Sequence, residues 1–240
     1  RAGFTGNTLA ANDDGSTGSV GIGFTVDFFG VNYSSLYVNN NGNTTFASPL
    51  GTFTPFGIAD ATAPILAPFF ADVDTRSVGS PVTYGAGSVG GKTAFGVNWV
   101  NVGHYSGSTP TNSFQLVMID RSDTGAGNFD IEFNYDKILW ETGNASGGSG
   151  GLGGTSAAVG WNNGAGTFVE LDGSRVNGAF LDSNLTDGLI HTSNIGFDGR
   201  YLWTARSGVI EEGEGVPVPG ALALLGLGLI GLGAARRRAV

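Results

Sequence analysis

The sequence predicts an all-β fold: a glycine-rich antiparallel sandwich of two sheets, followed by a short hydrophobic helix at the C-terminus. Three observations predict it. Apolar and polar residues alternate through most of the chain before residue 216, which is the period of half-buried strands. Glycine, which supplies 43 of the 240 residues, clusters between these segments, where turns are needed. No segment before residue 216 has a convincing helical period, so two packed sheets bury the apolar faces most simply.

The first alternating segment, residues 18–30, predicts a strand that ends in a glycine turn. Residues 34–46 predict a strand, a turn over residues 39–43 and a second strand. Asn41 and Gly42 indicate the turn, because both residue types accept positive φ at low cost. These segments therefore predict consecutive antiparallel strands.

The next alternating segment, residues 92–102, predicts part of the core. It places Phe95, Val97 and Trp99 on one face of a strand. Large aromatic and aliphatic side chains that share a face pack most often against a second sheet. We therefore expect Trp99 to be a core residue.

Residues 113–140 predict two strands around a turn at residues 122–128. In the second strand, apolar residues alternate with acidic and amide residues that include Asp130 and Glu132. This pattern predicts one buried face and one solvated, acidic face. A further hairpin is predicted over residues 156–171.

Residues 199–208 predict the closing strand of a β domain that covers residues 1–207. An acidic linker is predicted at residues 208–215, where the apolar pattern stops. Residues 216–240 follow as a separate tail.

The charge of the chain excludes some partners. The formal net charge is −9, and without the three C-terminal arginines 8 basic and 20 acidic residues remain. Phosphate backbones would repel such a body, so we expect no nucleic-acid binding. The chain has no cysteine, which excludes disulfides, thiolate metal sites and a cysteine nucleophile.

The tail contains an uncharged apolar run, residues 221–235, that is followed by three arginines. As a helix this run would be about 22 Å long, which is shorter than the ~30 Å hydrocarbon core of a bilayer. The arginines would stay on the cytoplasmic side, so we expect residues 1–215 outside the cytoplasm. The chain begins at Arg1, and a leader segment is expected to have preceded it.

This tail resembles a PEP-CTERM sorting signal, the bacterial tag that is processed by exosortase. The matching positions are a proline motif and an arginine cluster: Val216, Pro217, Val218, Pro219, Arg236, Arg237 and Arg238. The family usually has Glu where Val218 stands. The resemblance implies export, transient insertion in the inner membrane, cleavage near the proline motif, and delivery to the cell surface or the extracellular space.

Five segments of the body, taken in order, resemble the bacterial nidogen-like (NIDO) domain. They are residues 36–46, 63–76, 93–105, 128–143 and 157–164. This resemblance implies an extracellular interaction module and carries over no catalytic residue.

Two acidic segments are candidates for a Ca²⁺ site. Asp72 and Asp74 lie two positions apart at a predicted strand end, and Asp13 and Asp14 lie in a glycine turn. Carboxylate oxygens in such loops are the hard ligands that Ca²⁺ prefers. Alternatively, these carboxylates cap turns through neighbouring backbone amides.

Other motifs point weakly to enzymes or ligand binding. Residues 86–93 fit a relaxed phosphate-loop pattern, but a strand follows them, so we expect a hairpin turn instead. Asp130 and Glu132 share a strand face, as the two carboxylates of a glycosidase would. Trp140 lies near a loop and is a candidate for a ligand-binding surface.

The leading hypothesis is a non-enzymatic protein of the cell surface or extracellular matrix that acts in adhesion or biofilm assembly. It would contact exopolysaccharide or other surface proteins. The alternatives are a subunit that assembles with itself into a surface fibre or layer, and a secreted glycan-active hydrolase.

Overall fold

The computed structural model describes residues 1–76 and 81–213. Two antiparallel sheets pack face to face as a sandwich, which confirms the predicted all-β class. The sorting signal, the apolar helix and the arginine cluster predicted at residues 216–240 lie outside the described residues.

The described residues form fourteen strands and two three-residue 3-10 helices, at Ile58–Asp60 and Asn144–Ser146. The strands are β1 (Asn7–Thr8), β2 (Val20–Phe28), β3 (Val31–Asn39), β4 (Asn43–Thr45), β5 (Pro64–Phe70), β6 (Val73–Asp74), β7 (Thr83–Val89), β8 (Lys92–His104), β9 (Asn112–Asp120), β10 (Phe129–Lys137), β11 (Ala158–Asn163), β12 (Phe168–Glu170), β13 (Arg200–Arg206) and β14 (Val209–Glu212). Within the described part of the chain, no helix is long and apolar enough to cross a membrane.

Strand order shows how the chain builds its two layers. The first sheet runs β1-β7-β8-β9-β10-β13-β14, and β6 pairs with the far end of β8. The second sheet runs β12-β11-β5-β4-β3-β2. Most neighbours in space are neighbours in sequence, as is usual where short turns join antiparallel strands.

The core lies between the sheets and is rich in aromatic side chains. Trp99 is buried, as predicted, and stacks on Phe114 with ring centroids 5.2 Å apart. Phe114 in turn contacts Phe69 of the second sheet at 5.1 Å. Each such side chain contributes about 1.5–3 kcal/mol through burial. The apolar face predicted for β10 points into this core as well.

The predicted hairpins are present. The turns fall at residues 39–43, between β3 and β4, and at residues 121–128, between β9 and β10. The segment that resembles a phosphate loop is a hairpin, because β7 ends at Val89 and β8 begins at Lys92. A strand rather than a helix follows its glycines, so the backbone amides of a phosphate cradle are not assembled there.

The N-terminal segment covers part of the outer face of the first sheet. Phe4 is buried against Ala94, Val117 and Ile119. A Cβ atom at Gly96 would lie 2.4 Å from Cγ of Phe4, so glycine at this strand position leaves room for the ring. The N-terminal segment is therefore part of the sandwich domain.

The first sheet continues beyond the predicted domain boundary at residue 207. Four residues of the predicted linker form β14, which pairs antiparallel with β13. Strand pairing uses backbone hydrogen bonds, so an edge strand needs no regular apolar alternation. For this reason the sequence pattern does not reveal the strand within the predicted linker.

The outer edges of both sheets carry features that disfavour pairing with another chain. Strands β1 and β12 have only two and three residues, and β2 has a register shift between Gly21 and Val26. The edge strand β14 ends in Glu211 and Glu212. Short, bulged and charged edges are the usual protection against edge-to-edge assembly.

Candidate functional site

Three of the four carboxylates predicted as Ca²⁺ ligands come together at one end of the sandwich. One oxygen each from Asp13, Asp14 and Asp72 lies within 4.8 Å of the others. Asp72 follows β5, whereas Asp13 and Asp14 lie in the loop between β1 and β2. We call these three residues the carboxylate cluster.

Local hydrogen bonds hold the N-terminal loop against the strand end. The Asn12 side-chain oxygen accepts from the Gly15 amide at 2.6 Å, which closes a tight turn around Asp13 and Asp14. The Thr75 amide donates to the Asn12 carbonyl oxygen at 3.0 Å, and the Asn12 amide donates to the Thr75 hydroxyl at 2.9 Å. These contacts position the loop carboxylates beside Asp72.

Two buried asparagines from the turn between β3 and β4 support the cluster. The Asn41 side-chain amide donates to Oδ1 of Asp14 at 2.9 Å, and its oxygen accepts from the Val73 amide at 3.0 Å. Asn40 donates to the backbone carbonyl oxygens of Asp13 and Val73. Sequence reasoning missed this role, although three consecutive asparagines before Gly42 are more than a turn requires.

The electrostatics of the cluster are unfavourable for three bare carboxylates. Asp72 is only 1% exposed, and its Oδ2 has no hydrogen-bond partner among the described residues. Burial, reinforced by the charges of Asp13, Asp14 and Asp74, raises the pKa of Asp72 to about 7. Burial and the charges of Asp14 and Asp74 raise the pKa of Asp13 to about 6. Among the described residues, Arg76 is the only cation that contacts the cluster, at 3.1 Å from Oδ2 of Asp13.

Asp74, the fourth predicted ligand, is not part of the carboxylate cluster. Arg76 holds it through two contacts, Nε to Oδ1 at 3.0 Å and Nη2 to Oδ2 at 2.7 Å. Burial raises the pKa of Asp74, but the hydrogen bonds and charge of Arg76 outweigh it and leave the pKa below its usual value. A carboxylate bound at both oxygens by a guanidinium is a poor ligand for a metal, so this part of the prediction is corrected.

The prediction of Trp140 as a ligand-binding surface is wrong. Its side chain is 0% exposed, and its indole Nε1 donates to the Val102 carbonyl oxygen at 3.1 Å. The ring packs against Phe69 and His104. Trp140 lies close to a loop in sequence, but that loop folds over it, so it is part of the core.

Asp130 and Glu132 do not form the solvated face that the strand pattern predicts. Both are buried: Asp130 accepts from Arg206 at 2.6 Å and from Arg121 at 2.9 Å, and Glu132 accepts from Arg1 at 2.8 Å. Burial raises the pKa of Glu132, but hydrogen bonds from Arg1 and Asn134 outweigh it and leave the pKa lowered. A glycosidase general acid needs the opposite shift, so this pair does not favour hydrolysis.

An open groove of about 330 Å³ lies on the outer face of the first sheet, and sequence reasoning did not find it. Its rim includes Phe197, which is 56% exposed, with the Arg200 guanidinium 4.6 Å from the ring centroid. Polar side chains on adjacent strands and on the 193–199 turn also line the groove, and they include Gln115, Asn134, Asp136 and Asp198. The sequence gives little indication of this groove, because Phe197 lies in a loop whose residues do not alternate between apolar and polar.

The described chain is thus a two-sheet β domain without disulfides, in which arginines pair with Asp130 and Glu132 and three other carboxylates form the carboxylate cluster. Residues 34–207 match the family described as nidogen-like domain, and the chain belongs to this family. This match confirms that the body is a nidogen-like domain.

Individual relatives agree with the family match. The chain is 35% identical over 234 residues to alpha-tectorin from Mus musculus, and 35% identical over 230 residues to alpha-tectorin from Homo sapiens. Each alignment covers 85% of this chain but only 10% of the relative. The chain therefore spans a small part of these much longer proteins. No solved structure matches it significantly.

Proposed function

We propose that this protein is an exported, non-enzymatic extracellular module that acts in adhesion or matrix assembly. Membership of the nidogen-like family supports the extracellular role. The ion pairs that engage Asp130 and Glu132 support a non-enzymatic role, because they occupy the carboxylates best arranged for hydrolysis. The observation that carries the binding function is the open groove beside Phe197.

The sorting motif at residues 216–219 and the arginines at 236–238 support export followed by processing. In this proposal the apolar run holds the protein transiently in the inner membrane until an exosortase-type enzyme cleaves near the proline motif. The nidogen-like domain then acts at the cell surface or outside the cell.

We expect the intact mass of the protein in the culture medium to correspond to a C-terminus near residues 217–219. The reason is that a sorting signal is removed, whereas a permanent anchor is retained. Mass spectrometry of the medium and of the inner-membrane fraction measures both forms. Full-length protein found only in the inner membrane would contradict processing and release.

The groove has the chemistry that a polysaccharide requires. Phe197 offers an exposed apolar ring, and Asp136 and Asp198 offer exposed carboxylates that accept hydrogen bonds from hydroxyl groups. Binding sites for small polar units combine an aromatic surface with a few polar groups in this way. Protected sheet edges make assembly with itself the less favoured alternative.

We expect Phe197→Ala to weaken binding to the exopolysaccharide of the producing cells by about tenfold, because it removes the exposed ring from the groove. Sedimentation of the domain with purified exopolysaccharide measures this. Phe168→Ala is the matched control, since Phe168 is 43% exposed but lies on β12 of the other sheet. Equal binding by both variants and the unmodified protein would contradict the groove as the contact surface.

A further inference from the structure

We propose that Asp13, Asp14 and Asp72 bind one Ca²⁺ ion, which fastens the N-terminal loop to the end of the sandwich. This inference does not depend on the proposed adhesive role. It would supply the domain with a cross-link that other extracellular proteins obtain from disulfides, which this chain cannot form.

The spacing of the carboxylate oxygens suits one ion. The three oxygens lie within 4.8 Å of one another. Two ligands that each lie 2.3–2.6 Å from the same Ca²⁺ are separated by at most about 5 Å. The cluster therefore meets the distance condition without rearrangement of the strand end.

The second observation is the buried, unpaired oxygen of Asp72. A carboxylate that is 99% buried normally receives hydrogen bonds or a cation, because a bare charge is costly in a protein interior. Oδ2 of Asp72 and Oδ1 of Asp13 are both buried without a hydrogen-bond partner among the described residues. A divalent cation bound at the cluster would compensate the charge of these carboxylates.

The balance of charges at this end of the sandwich also favours a bound cation. Arg76 is the cation that contacts the cluster, at 3.1 Å from Oδ2 of Asp13, but it is already committed to both oxygens of Asp74. Arg76 therefore leaves Asp14 and Asp72 without a contacting cation among the described residues.

The backbone at Gly143 packs closely against the buried carboxylate of Asp72. A Cβ atom at Gly143 would lie 2.2 Å from Oδ2 of Asp72, so glycine is needed for the present position of that oxygen. The ligands come from two segments that are far apart in sequence, and an irregular set of this kind suits the flexible coordination of Ca²⁺ better than the strict octahedron of Mg²⁺.

We expect CaCl2 to raise the thermal midpoint of the full chain, compared with the protein in EDTA, by roughly 5–10 °C at a Ca²⁺ concentration 100-fold above Kd. The ion stabilises the folded state because the unfolded chain does not hold the three carboxylates together. Differential scanning calorimetry measures the midpoint, and titration calorimetry should give one Ca²⁺ per chain. No shift with CaCl2 would overturn the proposal, and an equal shift with MgCl2 would overturn the assignment to Ca²⁺.

The Asp72→Asn variant shows whether Asp72 is a metal ligand or a carboxylate with only a structural role. In EDTA we expect its midpoint to equal or exceed that of the unmodified protein, because a buried, repelled charge is removed. In CaCl2 we expect it to be lower, because the calcium-dependent rise is lost. Asp172→Asn, which changes an exposed carboxylate outside the cluster, is the matched control and should keep the full rise.

A lower midpoint of Asp72→Asn in both conditions, with the calcium-dependent rise intact, would mean that Asp72 has only a structural role. If this variant does not fold, Asp13→Asn tests the same proposal, since its side chain is partly exposed and tolerates the change better. Asp13→Asn should reduce the affinity for Ca²⁺ at least tenfold. Unchanged affinity would overturn the proposed site.

Discussion

Gly42→Ala is expected to lower the free energy of unfolding by roughly 2–5 kcal/mol. Gly42 has φ +73°, and a Cβ atom there would lie 1.7 Å from the carbonyl oxygen of Phe69. The left-handed backbone costs an alanine about 1–2 kcal/mol, and displacing β5 to relieve the overlap adds about 1–3 kcal/mol. Urea unfolding followed by tryptophan fluorescence measures the loss.

Gly196→Ala is the control for this prediction. Gly196 has nearly the same φ, +71°, but no atom lies within 4 Å of the position that a Cβ would take. Its substitution should therefore show the backbone cost alone, about 1–2 kcal/mol. Equal losses at the two positions would mean that the close approach of the Asn41-Gly42 turn to β5 does not matter for stability.

Trp140→Ala is expected to lower the free energy of unfolding by about 3–5 kcal/mol, as is typical for removing a buried large aromatic side chain. The indole fills space beside Phe69 and His104, and its Nε1 satisfies the Val102 carbonyl oxygen. Trp140→Phe keeps most of the ring but leaves that carbonyl oxygen without its donor, so a loss of about 1–3 kcal/mol is expected.

Denaturant unfolding of the two Trp140 variants measures both losses. Phe168→Ala, which removes a half-exposed aromatic ring, should cost less than about 1 kcal/mol and serves as the reference. A Trp140→Ala protein that is as stable as the unmodified one, but has lost polysaccharide binding, would contradict the core position of this residue. It would restore Trp140 as a ligand contact.

The strands and hairpins were largely predictable from the sequence. Alternation in residues 92–102 placed Phe95, Val97 and Trp99 in the core, and Asn41-Gly42 marked its turn. Both signals are local, since a strand face repeats every second residue and a turn needs particular residue types at adjacent positions. The closing strand β13 was also predicted from local alternation. Strand β14 was missed, because its pairing with β13 uses backbone hydrogen bonds and needs no alternation.

The candidate site was predictable only in part. Asp13, Asp14 and Asp72 were chosen for their loop chemistry, and the structure brings them together. Asp74 had the same chemistry, but Arg76 pairs with it. The supporting asparagines, Asn40 and Asn41, were read only as turn residues, because their partners lie about thirty positions away in sequence.

By itself, the sequence determined the all-β class, the order of the hairpins and the family, because these follow from short-range patterns and segment order. Only the tertiary structure decided which charges are paired, which aromatic rings are exposed and which carboxylates share a site. Arginines cover Asp130 and Glu132, a loop covers Trp140, and Phe197 stays open at the groove. The physical reason is that burial and charge pairing depend on neighbours in space, which alternation along one strand does not encode.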